Sequence, residues 1–393
     1  MSLDHEPLLQ TGAWHDVIVV GARAAGAATA MLLARRGLRT LLLDHSELGS
    51  DTLSTHALMR GGVLQLSRWG LLDEIVAAGT PPVRRTTFMY GDQRLVISIK
   101  AAHGVDALYA PRRTLLDPTL VRAAIDSGAE VHHRTSVTGL IERNGRVTGV
   151  RAVTSDGRLV DLNAPLVIGA DGIRSTVARH VDATTTRMGE HAGSVTYGYW
   201  SNLTADGYQW MFNPNACAGV IPTNNGQACL FAHAPAERIG RGGVDLIERI
   251  MTEGAPELEQ PLRQATRPNG TRTWRGHRGF IRRSSGPGWA LVGDAGYFKD
   301  PISAHGLTDA LRDAELLARA VIDGFGKAST LDDALRCYEA IRDRLSIPLF
   351  DVSDRIAGHQ WDHVEIADLL LRLSSAMADE IETLAALEPE PVA

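Results

Sequence analysis

The chain has 393 residues, of which 44% are hydrophobic and 22% charged, a composition typical of a globular protein large enough for two domains. A formal net charge of -6 offers no basic excess for nucleic acid, so we exclude nucleic acid as a partner. The three cysteines form no Cys-x-x-Cys pair, which argues against disulfides or zinc and is typical of a reducing compartment. The leader lacks a signal peptide's apolar core, and no apolar run reaches the ~20 residues that span a bilayer, so we expect a cytoplasmic protein.

The first predicted elements are a strand, a turn and a helix. Residues 16–20 (DVIVV) are an apolar, β-branched run, and residues 24–37 (AAGAATAMLLARRG) are rich in helix formers and end on a glycine. A second strand, residues 38–44 (LRTLLLD), ends on Asp44. In such a βαβ unit, an acidic residue at the tip of the second strand binds the ribose of a dinucleotide. The spacing therefore predicts a nucleotide site between the turn and Asp44.

The turn departs from the dinucleotide-binding pattern at one position. Gly21 makes the tight turn and Gly26 lets helix and strand pack closely, but Arg23 stands where a middle glycine usually keeps bulk away from the pyrophosphate. We expect the Arg23 side chain to point outward along the groove, so that the backbone amides from Ala22 to Ala25 still face the phosphates. By itself, this turn fits a plain strand-to-helix connection as well as it fits a nucleotide site. A second, independent motif is therefore needed to support a nucleotide site.

A second motif lies at residues 288–311 (GWALVGDAGYFKDPISAHGLTDAL). The run WALV predicts a short buried strand ending at Gly293-Asp294, a loop with Pro301 follows, and Gly306 starts a long amphipathic helix. A third segment, residues 166–179 (LVIGADGIRSTVAR), places an Asp-Gly pair after an apolar strand.

These three segments, in this order and spacing, resemble the FAD-contacting segments of the FAD-dependent aromatic hydroxylases, the single-component flavoprotein monooxygenases with the p-hydroxybenzoate hydroxylase fold. The resemblance spans about residues 15–345. It implies an α/β fold: a Rossmann-like FAD-binding domain, an inserted antiparallel β-sheet substrate domain and a C-terminal helical segment. The expected boundaries are 14–80, 106–185 and 284–325 for the FAD-binding domain, 81–105 and 186–283 for the substrate domain, and 326–393 for the C-terminal helices.

The resemblance also implies roles for individual residues. Asp294 would bind the ribityl chain of FAD, and backbone amides near Gly306 and Leu307 would face the flavin pyrimidine. Asp171-Gly172 would help to hold both FAD and the incoming pyridine nucleotide.

Two arginines complete the cofactor site that the resemblance implies. Arg60 opens a helix where the family places an arginine on the pyrophosphate, and Arg113, with Arg112 as its alternative, matches the arginine before the family's L-x-x-x-L helix. The predicted cofactor-binding residues are Gly21, Ala22, Arg23, Ala25, Gly26, Asp44, Arg60, Arg113, Asp171, Gly172, Gly293, Asp294, Pro301, Gly306 and Leu307.

The substrate region carries a weaker signal. Residues 84–100 and 194–234 alternate in polarity and contain turn signals, which predicts an antiparallel sheet. Aromatic residues cluster there and fit either an apolar substrate pocket or the core of the sheet. The predicted pocket residues are Tyr199, Trp210, Phe212 and Asn213.

From the resemblance we predict tightly but non-covalently bound FAD, with NAD(P)H as a transient co-substrate because only one dinucleotide fold is detectable. The predicted enzyme is a monooxygenase that uses NAD(P)H and O2 to hydroxylate an electron-rich, aromatic small molecule through a flavin C4a-hydroperoxide. His56, in the loop before the Arg60 helix, and His305, in the flavin loop, are the candidate catalytic residues. A structural role stays open for both histidines, and the oligomeric state stays open as well.

Other functions share the same motifs. A FAD-dependent reductase or dehydrogenase of the geranylgeranyl-reductase-like type needs the same cofactor segments but no oxygen. A halogenase is disfavoured because the chain lacks a Trp-x-Trp-x-Ile-Pro element. A protein that binds flavin without catalysis would not need three cofactor segments, and an NAD-linked dehydrogenase without flavin would leave Gly293-Asp294 without a role.

The tail, from about residue 325, has helical periodicity, and Pro348 predicts a break in it. His359 and His363 are four residues apart, a spacing that fits one helix face. Two histidines without a third ligand are a weak metal signal, and we predict no metal site.

Overall fold

A computed structural model describes residues 9–388 of the chain, so residues 1–8 of the predicted leader and residues 389–393 lie outside the described part. Apolar and β-branched runs form the strands. In chain order these are β1 (Val17–Val20), β2 (Thr40–Leu43), β3 (Arg85–Tyr90), β4 (Gln93–Ser98), β5 (Glu130–His132), β6 (Ser136–Arg143), β7 (Arg146–Val153), β8 (Leu159–Asn163), β9 (Leu166–Gly169), β10 (Thr185–Met188), β11 (Ser194–Ser201), β12 (Tyr208–Asn213), β13 (Ala216–Thr223), β14 (Gln227–Ala234), β15 (Arg272–Trp274), β16 (Phe280–Arg282), β17 (Ser285–Gly286), β18 (Trp289–Leu291) and β19 (Tyr297–Phe298).

Segments rich in alanine, leucine and charged residues form the helices. In chain order these are α1 (Ala24–Arg35), α2 (Arg60–Arg68), α3 (Leu72–Ala77), α4 (Arg113–Asp126), α5 (Thr176–His180), α6 (Ala236–Ile239), α7 (Val244–Gly254), α8 (Glu259–Gln264), α9 (Gly306–Phe325), α10 (Leu331–Ala357) and α11 (His363–Ala386), with 3-10 turns at Pro256–Leu258, Gly293–Ala295 and Pro301–Ser303. None of the described helices is both long enough and apolar enough to cross a membrane.

Two large sheets organise residues 9–388. The first has the order β17-β18-β9-β1-β2-β5 and is parallel except for the β17–β18 pair. The second has the order β15-β11-β14-β13-β12-β3-β4 and is antiparallel except for the β12–β3 pair. Smaller sheets, β10-β16-β19 and β6-β7-β8, flank them. The predicted mixed α/β fold, with its inserted antiparallel sheet and helical C-terminal segment, is confirmed, whereas the exact domain boundaries stay a prediction.

The turn between β1 and α1 depends on two glycines. Gly21 adopts φ +106°, and a Cβ there would lie 2.5 Å from the carbonyl oxygen of Ala170. A Cβ on Gly26 would lie 1.8 Å from the carbonyl oxygen of Gly21. The first turn of α1 therefore lies directly on the end of β1, a distance that no side chain allows.

Two predictions for the tail are wrong. Helix α10 runs without interruption through Pro348, because residues on both sides of the proline, among them Leu345 and Leu349, are buried and tertiary packing offsets the missing hydrogen bond. His359 lies in the turn between α10 and α11 with φ +52°, so it does not share a helix face with His363.

The close packing at the first turn gives a test of the fold. We expect Gly26→Ala to lower the free energy of unfolding by about 3 kcal/mol or more, because the new methyl group meets backbone that cannot move aside. Urea unfolding measures this change. Gly270→Ala is the control, since nothing lies within 4 Å of its added Cβ. A Gly26→Ala protein as stable as the wild type would contradict the packing.

Candidate functional site

A cavity of about 860 Å³ is lined by both large sheets. The ends of β1 and β2, the loop at residues 52–57, the start of β11 and the first turn of α9 contribute to its wall. The predicted site residues that line it are Gly21, Arg23, Ala25, Asp44, His56, Arg113, Asp171, Gly172, Asp294, Pro301, Gly306 and Leu307.

One end of the cavity has the features of a dinucleotide site. The Asp44 carboxylate accepts hydrogen bonds from the backbone N–H groups of Ala22 and Ser46, each at 2.6 Å, which fixes its position beside the glycine turn. Helix α1 has no side-chain cap and no acidic residue in its first turn, so its N-terminal amides are open to an anion. This end therefore offers an acceptor for a ribose and donors for phosphate.

The Arg23 side chain leaves those amides open. Its guanidinium donates to the Ser50 hydroxyl at 3.0 Å and to the Asp117 carboxylate at 3.1 Å. Arg113 donates to the same carboxylate at 2.8 and 2.9 Å. Because two guanidinium groups share one carboxylate, this part of the wall keeps a net positive charge, which suits a pyrophosphate.

The other end of the cavity lies at the N-terminus of α9. The His305 side chain makes no capping hydrogen bond there, and nothing lies within 4 Å of a Cβ built on Gly306. The Asp294 side chain is exposed to this part of the cavity. Desolvation by the surrounding protein raises the pKa of its carboxyl to about 6, although the charge of Lys299 opposes the rise. This end offers helix amides and an acidic side chain to a polar ring edge and its neighbouring hydroxyls.

Asp171 carries a buried acceptor without a partner. Its Oδ2 accepts from the backbone N–H of Thr176 at 2.6 Å, but its Oδ1 has no hydrogen-bond partner. Burial raises the pKa of this carboxyl. Since buried polar atoms are nearly always satisfied, an open acceptor in a cavity wall indicates a ligand with a donor at this point, as a cofactor hydroxyl would supply.

His56 is held in a strained position in the cavity wall. Its backbone has φ +70°, its side chain is buried, and its Nε2 lies 2.6 Å from the Tyr199 hydroxyl. The Arg112 guanidinium stacks 3.4 Å from the centroid of the Tyr199 ring. Burial first, and then the charge of Arg112, hold the pKa of His56 well below its usual range, so the imidazole is neutral at pH 7. The second ring nitrogen, Nδ1, has no partner.

The structure places the remaining predicted cofactor residues outside the cavity wall. Ala22, Gly26 and Gly293 shape the turns beneath it. Arg60 donates instead to the carbonyl oxygens of Lys100 and Val105, at 2.7 and 2.8 Å. A contact between Arg60 and the pyrophosphate stays a prediction that its position in the structure does not support.

The predicted substrate residues also lie behind the wall. Tyr199 touches His56, Trp210 packs against Tyr208 and Phe231, and Phe212 packs against Trp361 in the core between β12 and the C-terminal helices. Their direct contact with a substrate, and that of Asn213, stays a prediction. The aromatic side chains that do line the cavity are Tyr197, Trp274, Tyr297 and Phe298.

His305 lies behind the N-terminus of α9 in a buried ionic cluster. Its Nε2 is 3.1 Å from the Glu380 carboxylate, and Arg312 pairs with Glu380 at 2.8 Å and with Asp309 at 3.0 Å. Donor atoms of His305, Asp309 and Glu380 lie within 4.8 Å of one another, as a metal site requires. Both carboxylates already have cationic partners, Arg312 and, for Asp309, Lys299. We therefore assign an ionic cluster rather than a metal site.

Two important residues were missed from the sequence. Asp117 joins Arg23 to Arg113, and its spacing four residues after Arg113 on a helix is a signal that could have found it. Lys299 lines the cavity, and its place five residues after Asp294, in a chain with three lysines, was the available clue.

The raised pKa of Asp294 predicts how the stability of the FAD-free protein depends on pH. The folded-state pKa, about 6, exceeds the usual value of 3.8, so ionisation costs the folded state stability as pH rises between these values. We expect Asp294→Asn to raise the melting temperature above pH 6, with a gain that shrinks toward pH 4. Thermal unfolding from pH 4 to 8 measures it, and a gain that does not change with pH would contradict the assignment.

Comparisons with known proteins agree with this geometry. Residues 15–347 match the family described as FAD binding domain. The digeranylgeranylglycerophospholipid reductase of Methanocella arvoryzae is 24% identical over 349 residues, which cover 83% of this chain and 82% of the reductase.

Two solved structures share the fold. PqsL of Pseudomonas aeruginosa, in complex with 2-aminobenzoylacetate, has a TM-score of 0.78 at 20% identity, covering 93% of this chain and 100% of PqsL. The flavin-dependent brominase Bmp2 has a TM-score of 0.79 at 17% identity, covering 95% of this chain and 93% of the brominase. Likeness at such identities concerns the fold alone. Because the family match covers most of the chain, the protein belongs to the FAD binding domain family and is a FAD-dependent oxidoreductase.

Proposed function

We propose that this oxidoreductase is a monooxygenase that uses NAD(P)H and O2 to hydroxylate a compact, electron-rich aromatic molecule. When bound, FAD supplies the electron transfer and the oxygen activation, and the protein supplies binding, orientation and exclusion of water. The observation that carries the proposal is the unpartnered Nδ1 of buried His56 in a cavity wall that also contains aromatic side chains.

The size of the cavity supports a compact substrate. A pocket of ~300–1,000 Å³ holds one drug-sized ligand, and the 860 Å³ here must accommodate FAD first. Because the substrate shares this cavity with FAD, we expect it to be compact, of one or two rings.

The wall beyond the flavin supports an aromatic substrate. Tyr197, Trp274 and Phe298 line the cavity, and aromatic faces bind planar rings by stacking or edge contacts. Their apolar surface also keeps water from the reacting atoms, which an oxygen-transferring flavin requires.

His56 is the residue we assign to contact the substrate. With its proton on Nε2, the imidazole donates to the Tyr199 hydroxyl, and Nδ1 accepts a hydrogen bond from a phenol-type hydroxyl. Arg112, Arg113 and Arg272 place positive charge around this point and disfavour the imidazolium form. The same charge favours the anionic form of a phenol, which makes its ring more electron-rich.

A FAD-dependent reductase is the second candidate. The observation that favours it is the similarity along most of the chain to proteins named digeranylgeranylglycerophospholipid reductase. A reductase would add hydrogen to a double bond without O2.

Product analysis under labelled oxygen separates the two reactions. With NADPH or NADH, ¹⁸O2 and a panel of phenols and aminobenzoyl compounds, we expect a product that gains one ¹⁸O atom. A reductase would instead give a product two hydrogens heavier from an isoprenoid alkene in the absence of O2. That second result, without any oxygenated product, would overturn the hydroxylase proposal.

Substitution of His56 tests its role. Asparagine tolerates positive φ, so His56→Asn removes the imidazole without forcing the backbone to move. We expect kcat/KM to fall by about 100-fold, the lower end of the range for a proton-transferring side chain, with FAD content unchanged. His103→Asn is the matched control, because His103 is exposed and also has positive φ. Equal activities of the two variants would remove His56 from the reaction.

A further inference from the structure

Lys299 is a buried lysine in the wall of the cavity. Its side chain is 4% exposed, and its ammonium group contacts the Asp309 carboxylate on the first turn of α9. The same group lies 5.1 Å from the centroid of the Tyr297 ring. Burying a lysine costs folding free energy, so a buried lysine in a cofactor cavity is a candidate functional residue.

We expect Lys299 to lie at the end of the cavity that would hold the isoalloxazine ring of FAD. Adenosine and isoalloxazine are opposite ends of the cofactor, and Gly21 and Asp44 mark the adenosine end. The ring would therefore lie in the part of the cavity that Lys299, Pro301 and Leu307 line. Arg23 and Arg113, at the phosphate end, are held by Asp117.

The buried groups around Lys299 include more carboxylates than cationic side chains. From α9, Asp309, Arg312 and Asp313 lie in its surroundings, and from α11, Glu380 does. The remaining titratable groups nearby are Asp294, Tyr297 and His305, and burial lowers the pKa of His305.

With His305 neutral, the only positive charges among these described residues are those of Lys299, when protonated, and Arg312. They face three carboxylates, those of Asp309, Asp313 and Glu380, and Asp294 adds a fourth when it is ionised. Burial, followed by the charge of Arg312, lowers the pKa of Lys299 to about 7. The amine therefore gains or loses its proton near neutral pH when the charge beside it changes.

We propose that Lys299 is the cationic partner of reduced FAD and takes up a proton from solvent when the ring is reduced. Two electrons and one proton would convert the neutral oxidised flavin ring into its singly negative reduced form. A second proton goes to the Lys299 amine and leaves again on oxidation. The electron donor is a two-electron reductant, NAD(P)H in the proposed reaction or dithionite in the test. The inference rests on FAD binding and not on hydroxylation, so the two proposals fail separately.

The midpoint potential of bound FAD tests proton uptake. For a two-electron couple, each proton taken up lowers the potential by about 29.6 mV per pH unit. In the pH range where the Lys299 amine is unprotonated beside oxidised FAD and protonated beside the reduced ring, we expect the wild-type slope to be about twice this value. Lys299→Met and Lys299→Arg should keep the single-proton slope throughout, since neither side chain titrates in this range.

Sulfite affinity tests the charge independently of any turnover. Sulfite adds to the oxidised ring and leaves the same negative charge on it, so its Kd reports the cation beside the ring. We expect Lys299→Met to weaken sulfite binding by roughly 100-fold, as for loss of one preorganised partner of a developing charge. Lys299→Arg should stay within about tenfold of the wild type, because it keeps the charge. Lys100→Met, at an exposed lysine, is the control and should match the wild type.

Lys299→Met leaves Asp309 without its lysine partner and can lose FAD for that reason alone. The double variant Lys299→Met/Asp309→Asn removes that buried charge and is measured in parallel, beside Lys299→Arg. A single-proton slope in the wild type, a doubled slope in Lys299→Arg, or wild-type sulfite affinity without Lys299 would each overturn the proposal.

Discussion

Helix α1 can lie against the end of β1 only because Gly26 has no side chain, and the whole cofactor cavity follows from that contact. A Cβ at this position would come within 1.8 Å of the Gly21 carbonyl oxygen, and the close approach points the helix N-terminus at the groove with its amides open. Strand β2 then ends beside the turn, and Asp44 accepts the Ala22 amide. The adenosine end of the site is thus built from backbone geometry, with few side chains.

The charge along the cavity changes in the order that FAD requires. The cavity wall offers first the Asp44 carboxylate, then two guanidinium groups that share Asp117, and then the N-terminus of α9 with Lys299. We propose that these groups bind the ribose, the phosphates and the flavin ring in turn. The ring end is supported from α11, because Glu380 binds both His305 and Arg312 behind the first turn of α9. This helix lies beyond the family match, which ends at residue 347, yet it fixes the helix on which the flavin end depends.

The fold and the cofactor do not by themselves decide the reaction. The same frame occurs in a chain named as a reductase, in a brominase and in PqsL, so the difference must lie in the few side chains beyond the flavin. In this chain we propose that those are His56, supported by Tyr199 and Arg112, and the aromatic wall. A neutral histidine with one free nitrogen in a small, aromatic cavity fits a compact hydroxylated ring better than a long alkene.

Local sequence determined the parts of this protein whose geometry depends on neighbours in the chain. The βαβ unit, the Gly293-Asp294 turn and the start of α9 at Gly306 follow from periodicity and glycine spacing, and all form as predicted. Tertiary structure decided the rest, because contacts between residues far apart in sequence leave no local pattern. His56 meets Tyr199 across 143 residues, Glu380 reaches His305 across 75, and Trp210 and Phe212 turn toward the core and not the cavity. Pro348 stays inside a helix for the same reason: the packing around α10 outweighs the local cost of the proline, and only the folded chain contains that packing.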